Sequence, residues 1–210
     1  MALAFRERTI DDFKGKLVGG GVRPNLFEVE LAWPDGYGLV QDGVDRDSRF
    51  LVKAASLPAS QIQSIEVPFR GRILKIAGDR KFETWTITVI NDQNFSIRQS
   101  MESWMNNINN HEYDSGVVDP NSYQTNFKVH QLGRGPKSGD GNIPILRSYE
   151  MRGCFPTGIG AIDLSYDNQD QIQEYQVEFQ VQWWQPVSTS GESLLTTKGT
   201  ARYTTNQVAT

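Results

Sequence analysis

Hydrophobic and polar residues alternate with a period of two along much of the chain, most cleanly from Ile172 to Trp184. There Tyr175, Val177, Phe179, Val181 and Trp183 are separated by Glu174, Gln176, Glu178, Gln180 and Gln182. Successive side chains of an extended strand point to opposite faces. The run therefore predicts one strand with an apolar, aromatic face and a polar face that has carboxylates and amides but no Lys or Arg. The same period recurs at Asn25 to Trp33, where Phe27, Val29, Leu31 and Trp33 alternate with Glu28 and Glu30. Shorter runs follow at Phe50 to Ala54, at Ile65, Val67 and Phe69, and at Arg72 to Ile76, which Gly78-Asp79 is expected to stop. From Phe82 to Ile90, Trp85, Ile87 and Val89 oppose Thr84, Thr86 and Thr88, and strands resume at Asn126 to Leu132 and Ile145 to Arg152.

One segment has a helical period instead. Phe95, Arg98, Met101, Trp104, Met105 and Ile108 recur at spacings of three and four, with Asp92 placed as an N-cap. The polar, acidic stretch up to Ser48 reads as a long exposed hairpin loop after Pro34-Asp35-Gly36, and Gly133 to Asn142 as a glycine-rich hairpin tip. The pattern thus predicts a mainly β, antiparallel chain with one α-helix. A polar arm (1–21) precedes the β domain (22–185), and a Ser/Thr-rich extended arm (186–210) follows it.

Composition narrows this picture. A chain of 210 residues fits a single domain, and 38% apolar with 22% charged residues is globular, with no apolar run long enough for a membrane helix. The first residues mix charges of both signs without an apolar core segment, unlike a secretory signal, which points to a cytoplasm-like compartment. Cys154 is the single cysteine and reads as a buried structural thiol. A net charge of −4 without a Lys/Arg cluster argues against a nucleic-acid binder.

Chemical motifs are sparse. His111 and His130 lie far apart and outside any metal-ligand spacing. Gly133 to Gly139 lacks the Gly-Lys-Ser/Thr ending of a phosphate loop and precedes a strand. Asp163, Asp167, Asn168 and Asp170 miss the calcium-loop pattern and read as a turn. No catalytic residues, metal or cofactor are expected, and the chain is not read as an enzyme. Strands with open edges need covering, and joining edge to edge with further copies is one solution.

The stretch from Gly71 to Asp92, GRILKIAGDRKFETWTITVIND, closely resembles the signature of the tail tube protein of contractile-tailed, T-even-like bacteriophages. Arg23 to Phe27, Lys53-Ala54 with Leu57-Pro58, and Ile172 to Trp184 are similar to further family segments in order and spacing. Gly153 with Phe155-Pro156-Thr157 resembles the family's Gly-x-Trp-Pro-Thr turn, with Phe in place of Trp. The likeness spans roughly 22–184. It implies two packed antiparallel β-sheets, as a sandwich or partial barrel, with one α-helix, related to the tube subunit of type VI secretion. It also implies hexameric rings whose inner sheets close a continuous β-barrel, stacked inside a contractile sheath and conducting the genome.

The implied partners are further copies of the chain, the tail sheath, baseplate and tail terminator proteins. The tape measure protein and then DNA would pass through the bore, with no membrane contact. The implied location is the virion tail, assembled in the host cytoplasm. The chain departs from the family in a longer segment over 35–49 and in the tail after Gln185, which could serve ring-to-ring contact or face the sheath.

A conduit must not hold DNA, so Glu174, Gln176, Glu178, Gln180 and Gln182 are candidate lumen-facing residues, the alternative being a face against solvent or sheath. Arg72, Asp79, Arg80 and Glu83 are candidate subunit-interface residues, the alternative being a local network around Gly78. Two other readings stay open. One is the inner tube of a phage-derived contractile injection particle delivering protein effectors, and the other is a monomeric carbohydrate-binding sandwich.

Overall fold

The alternating runs fold as strands, and the structure adds helices that the pattern conceals. The computed structural model describes residues 9–17, 20–34, 44–113, 115–135, 143–167, 169–188 and 192–195. In chain order the elements are α1 (Ile10–Lys16), β1 (Phe27–Glu30), α2 (Val44–Leu51), β2 (Val52–Ala55), β3 (Ser60–Phe69), β4 (Arg72–Phe82) and β5 (Trp85–Ile90). They continue with α3 (Ser96–Ile108), α4 (Pro120–Tyr123), β6 (Thr125–Leu132), β7 (Ile145–Ile159), β8 (Glu174–Gln180) and β9 (Trp183–Val187). Every strand pairing is antiparallel.

Strand β7 serves two sheets. Its first part pairs with β6 on one side and β9 on the other, and β6 carries β1. Its last part, from Phe155, pairs with β8, which is followed by β5 and β2. The change of sheet falls at Gly153, whose φ of +63 suits glycine, and a Cβ there would stand 2.5 Å from Gln182 Cγ. The Gly153 to Thr157 segment, expected as a turn, is thus a bend inside a continuous strand.

The two sheets meet through aromatic rings. Phe127 on β6 stands edge-on to Phe179 on β8, with centroids 4.9 Å apart, and 6.0 Å from Trp85 on β5. Trp104 on α3 closes the cluster, 6.3 Å from Phe127 and 5.8 Å from Trp33. Such pairs contribute about 0.5–1.5 kcal/mol beyond their buried area. Two of the three indole N–H groups find carbonyls, Trp85 Nε1 donating to Ser56 O at 2.7 Å and Trp104 Nε1 to Tyr123 O at 2.9 Å, while the buried Trp33 Nε1 has no partner among the described residues.

Helix α3 buries Ile97, Ser100, Met101 and Trp104 against this core. Asp92 is not the N-cap as expected, that position being Phe95, but it braces the first turn from outside: the Ser96 N–H donates to Asp92 Oδ1 at 2.9 Å and the Ser96 hydroxyl to Oδ2 at 2.7 Å. Phe95, expected on the inner face, instead occupies a left-handed backbone position with φ 53 and is exposed.

Several other expectations need correction. The described residues hold four helices, not one. Val44 to Leu51 forms α2 where a loop and the start of a strand were expected. Its inward residues are Val44, Ser48 and Leu51 while Phe50 points outward, so a search for apolar periodicity passes over it. Residues 35–43 and 136–142 lie outside the described set, so the remainder of that loop and the glycine-rich tip cannot be compared.

The run from Ile172 to Trp184 is two strands. β8 ends at Gln180, and Trp183 opens β9, which pairs with β7 in the other sheet. Trp183 is consequently exposed under the Arg152 guanidinium, 5.1 Å from its ring centre, and not part of the core. Nor does Gly78-Asp79 stop a strand: β4 runs through it as a bulge opposite Gln63. Gly78 admits this because a Cβ would sit 3.0 Å from Gln63 O. β9 also runs on through Val187, into the segment expected to be an extended arm.

Candidate functional site

The outer face of the β7–β8–β5–β2 sheet carries the polar residues singled out above. Tyr175, Val177 and Phe179 are buried against the core, which forces Glu174, Gln176, Glu178 and Gln180 to the opposite face. Glu174, Gln176 and Glu178 are exposed and Gln180 is half-buried. Gln182 does not join them. It lies past the end of β8, where its N–H donates to Arg152 O and its side chain covers Gly153.

Register widens the face in a direction the sequence could not reveal. Glu178 stands opposite Thr86 and Gln176 opposite Thr88, so two hydroxyl side chains of β5 extend the polar surface. Both Thr residues were visible as an alternating set, but the pairing of β5 with β8 was not. A cation also reaches this face. Lys53 on β2 donates to Glu174 Oε1 at 2.5 Å, so its charge is matched by a carboxylate. The sheet ends in two strands without a neighbour among the described residues: β2 on one side and the Phe155–Ile159 part of β7 on the other.

The four residues proposed for a subunit interface do not come together. Arg72 opens β4 at the tip of the β3–β4 hairpin, while Asp79, Arg80 and Glu83 lie at its base. Seven residues of strand separate Arg72 from Asp79, roughly 23 Å. Glu83 accepts a hydrogen bond from Gln61 Nε2 at 2.5 Å. Arg72, Asp79 and Arg80 form no ion pair among the described residues.

One constellation with a catalytic look was missed by sequence spacing. His130 Nδ1 lies 2.7 Å from Ser148 Oγ, and His130 Nε2 lies 3.5 Å from Glu30 Oε2. These are neighbours across β1, β6 and β7. Arg49 on α2 adds contacts to Glu30 at 2.9 Å and Glu28 at 3.4 Å. Ser148 is 3% exposed, so its hydroxyl is closed to an incoming carbonyl. The cluster is a polar ladder that ties three strands and α2 together.

Two buried groups are electrostatically shifted. Burial pushes the Cys154 thiol from 9.0 up to about 12, with a backbone hydrogen bond at Phe127 partly opposing, which fits an inert structural thiol. Burial likewise raises the Tyr175 phenol, with the Arg98 charge opposing. Arg98 lies 5.2 Å over the Tyr175 ring and also holds Glu102 at 2.8 Å, so it roofs the aromatic face of β8.

The chain is mainly β, with a strand shared between two sheets and a helix on its core, and this fold is shared with components of contractile injection machines. Similar folds occur in the anti-feeding prophage baseplate, with a TM-score of 0.54 and 9% identity over 80% of this chain and 96% of that one. Another occurs in the sheath/tube terminator of the PVC extracellular contractile injection system, at 0.55 and 11% over 80% and 97%. The family described as "Phage tail tube protein" matches residues 22–186, and the chain belongs to it. It is 29% identical to tail tube protein gp19 of Enterobacteria phage T4 over 167 residues, covering 80% of this chain and 93% of that protein. It is also 29% identical to the tail tube protein of Serratia phage KSP90 over 182 residues, 86% and 97% of the two chains. The protein is thus a structural component of a phage tail.

Proposed function

We propose that the chain is the repeating subunit of a contractile-tail tube made of stacked hexameric rings. In each ring the β7–β8–β5–β2 sheets of six copies join edge to edge, the bare edge of β2 meeting the Phe155–Ile159 edge of β7 in the next copy. Joining removes both open edges and yields a closed inner barrel. The sheath surrounds the tube, and baseplate and terminator proteins hold its ends. The tape measure protein and then genomic DNA occupy the bore without specific binding.

The outer face of β8 and β5 is the observation that carries this reading. It offers Glu174, Gln176, Glu178, Gln180, Thr86 and Thr88, with Lys53 matched by Glu174. Free cations on such a wall would add salt-dependent affinity at every phosphate and stall transit. Carboxylates repel the backbone over a Debye length of about 8–10 Å. Gln182 is removed from the expected set because it lies at the sheet corner. Arg72, Asp79 and Arg80, unpaired within the described chain, serve contacts between copies.

The test is electron microscopy of the purified chain, expected to yield rings or hollow tubes, followed by Gln176→Lys with Glu178→Lys. The double variant should assemble normally but slow genome ejection. A chain that remains a monodisperse monomer, or lysines that leave ejection unchanged, would count against the tube or the bore assignment respectively. The likeness to injection-system components also supports a second reading, the inner tube of a particle delivering protein effectors. Capsid and packaging genes beside this one would favour the genome conduit.

A further inference from the structure

Past residue 186, where the family match ends, the chain turns back along itself. The Ser188 N–H donates to Glu192 O at 2.8 Å and the Leu194 N–H to Pro186 O at 2.9 Å. Between these two bonds Val187 stands opposite Ser193 in antiparallel pairing. Strand β9 already uses its other side for β7, where Val187 is opposite Ser148 and Trp183 opposite Arg152. Residues 192–195 therefore lie along the outer margin of β9 as one more short extended segment, and the β1–β6–β7–β9 sheet does not end at β9.

An open strand margin is a template for any further strand, and this segment makes a poor one. The Leu194 N–H is turned inward to Pro186, so the N–H of Leu195 is turned outward, and it is taken by the chain's own Ser193 Oγ at 3.3 Å. The Glu192 N–H is likewise held by Ser188 Oγ at 3.1 Å, and its carboxylate stands at the start of the segment. Beneath it Pro186 has no N–H, so it interrupts any ladder built on β9. At the other margin of the sheet, β1 is four residues long and carries Glu28 and Glu30, a short and charged edge. The second sheet differs: β2 and the last part of β7 have no neighbour among the described residues.

We infer that residues 192–195 are an edge guard, which occupies the margin of β9 so that a strand of a second copy cannot add there. Edge-to-edge joining is thereby confined to the β7–β8–β5–β2 sheet. Guard and incoming strand compete for the same groups, Pro186 O and the Ser188 N–H. The guard prevails because it is tethered: three residues connect Ser188 to Glu192, and a short linker gives an effective concentration on the order of millimolar, above that of free copies in dilute solution. Specificity of assembly then comes from closing the wrong edge as well as from opening the right one. The guard acts on a different sheet from the one proposed to line the bore, so the two assignments fail separately.

The test uses proline in the full chain. Leu194→Pro removes the N–H that Pro186 O accepts, whereas Leu195→Pro removes one that points away from β9 and serves as the control. Each is compared with the unsubstituted chain by urea unfolding, thioflavin T fluorescence and negative-stain microscopy. Leu194→Pro is expected to keep the urea midpoint and to raise irregular, thioflavin-positive aggregate at least tenfold, with Leu195→Pro unchanged. Equal aggregation of the two variants would overturn the guard. A disulfide gives the second measurement. Val187→Cys with Ser193→Cys sits at a non-hydrogen-bonded antiparallel pair, where Cα atoms about 4.5 Å apart can be bridged. The native Cys154 is buried and does not compete. Oxidation should form this bridge within one chain and, added to Leu194→Pro, return aggregation to the unsubstituted level. A bridge that does not form, or aggregation that persists once it has formed, would overturn the guard. Absence of tubes from the unsubstituted chain would overturn the tube reading and leave the guard standing.

Discussion

Strand pairs β5–β8 and β3–β4 carry the same alternation of apolar and polar residues and meet opposite fates. In the first, Trp85, Ile87, Val89, Tyr175, Val177 and Phe179 are all buried within the chain. In the second, Ile65, Val67, Leu74 and Ile76 are all exposed. A period of two says that a strand has an apolar face and leaves open whose atoms will cover it. A face covered by its own chain belongs to folding, and a face left bare is free to meet another chain. Substitutions in the two pairs should therefore separate cleanly between stability and polymerisation.

The largest effect is expected from Phe179→Ala, which removes a ring that touches both Phe127 and Trp85. Urea unfolding should show a loss of about 3–5 kcal/mol, characteristic of a buried Phe truncation. Gly153→Ala should follow, at about 2–4 kcal/mol, because it combines a left-handed backbone with a collision against Gln182.

Alkaline pH should sharpen the contrast next. The Cys154 thiol titrates near 9.0 when free and about 12 when buried, so above pH 9 the unfolded chain releases a proton that the folded chain retains. Stability then falls as pH rises between 9 and 12, at up to about 1.4 kcal/mol per unit, or about 2 kcal/mol by pH 10.5. Cys154→Ala should reduce that slope, measured as the difference between urea midpoints at pH 8 and 10.5, with the raised Tyr175 phenol sustaining a remainder above pH 10. The smallest effect on folding belongs to Leu74→Ser. On the bare hairpin it should shift monomer stability by no more than about 0.5 kcal/mol, yet lower the yield of tubes by sedimentation. A large loss of monomer stability from this substitution would break the comparison.

The same contrast explains what the sequence made legible. Strands β5 and β8 were readable because every second residue is large and apolar, and α3 because Met101 and Trp104 keep a helical spacing. Helix α2 was hidden because its central inward residue is Ser48 and its Phe50 faces out. The division of Ile172 to Trp184 was hidden because alternation runs smoothly across Val181 and Gln182. What separates β8 from β9 is the bend in β7, a distant segment of chain. The polar face of β8 was legible residue by residue, but its Thr86 and Thr88 extension and the reach of Lys53 depend on strand pairing. That Arg72, Asp79 and Arg80 form no ion pair among the described residues could likewise be known only once their neighbours were placed.

Strand β7 has a mechanical consequence. It runs unbroken from one sheet into the other through Gly153, so the two layers are joined by covalent backbone as well as by the Phe127–Phe179 contact. A push delivered to either layer is carried into its companion along peptide bonds, and the pair cannot slip past each other without breaking the ladders on both sides of the bend. The bend at Gly153 therefore resists shear between the two sheets.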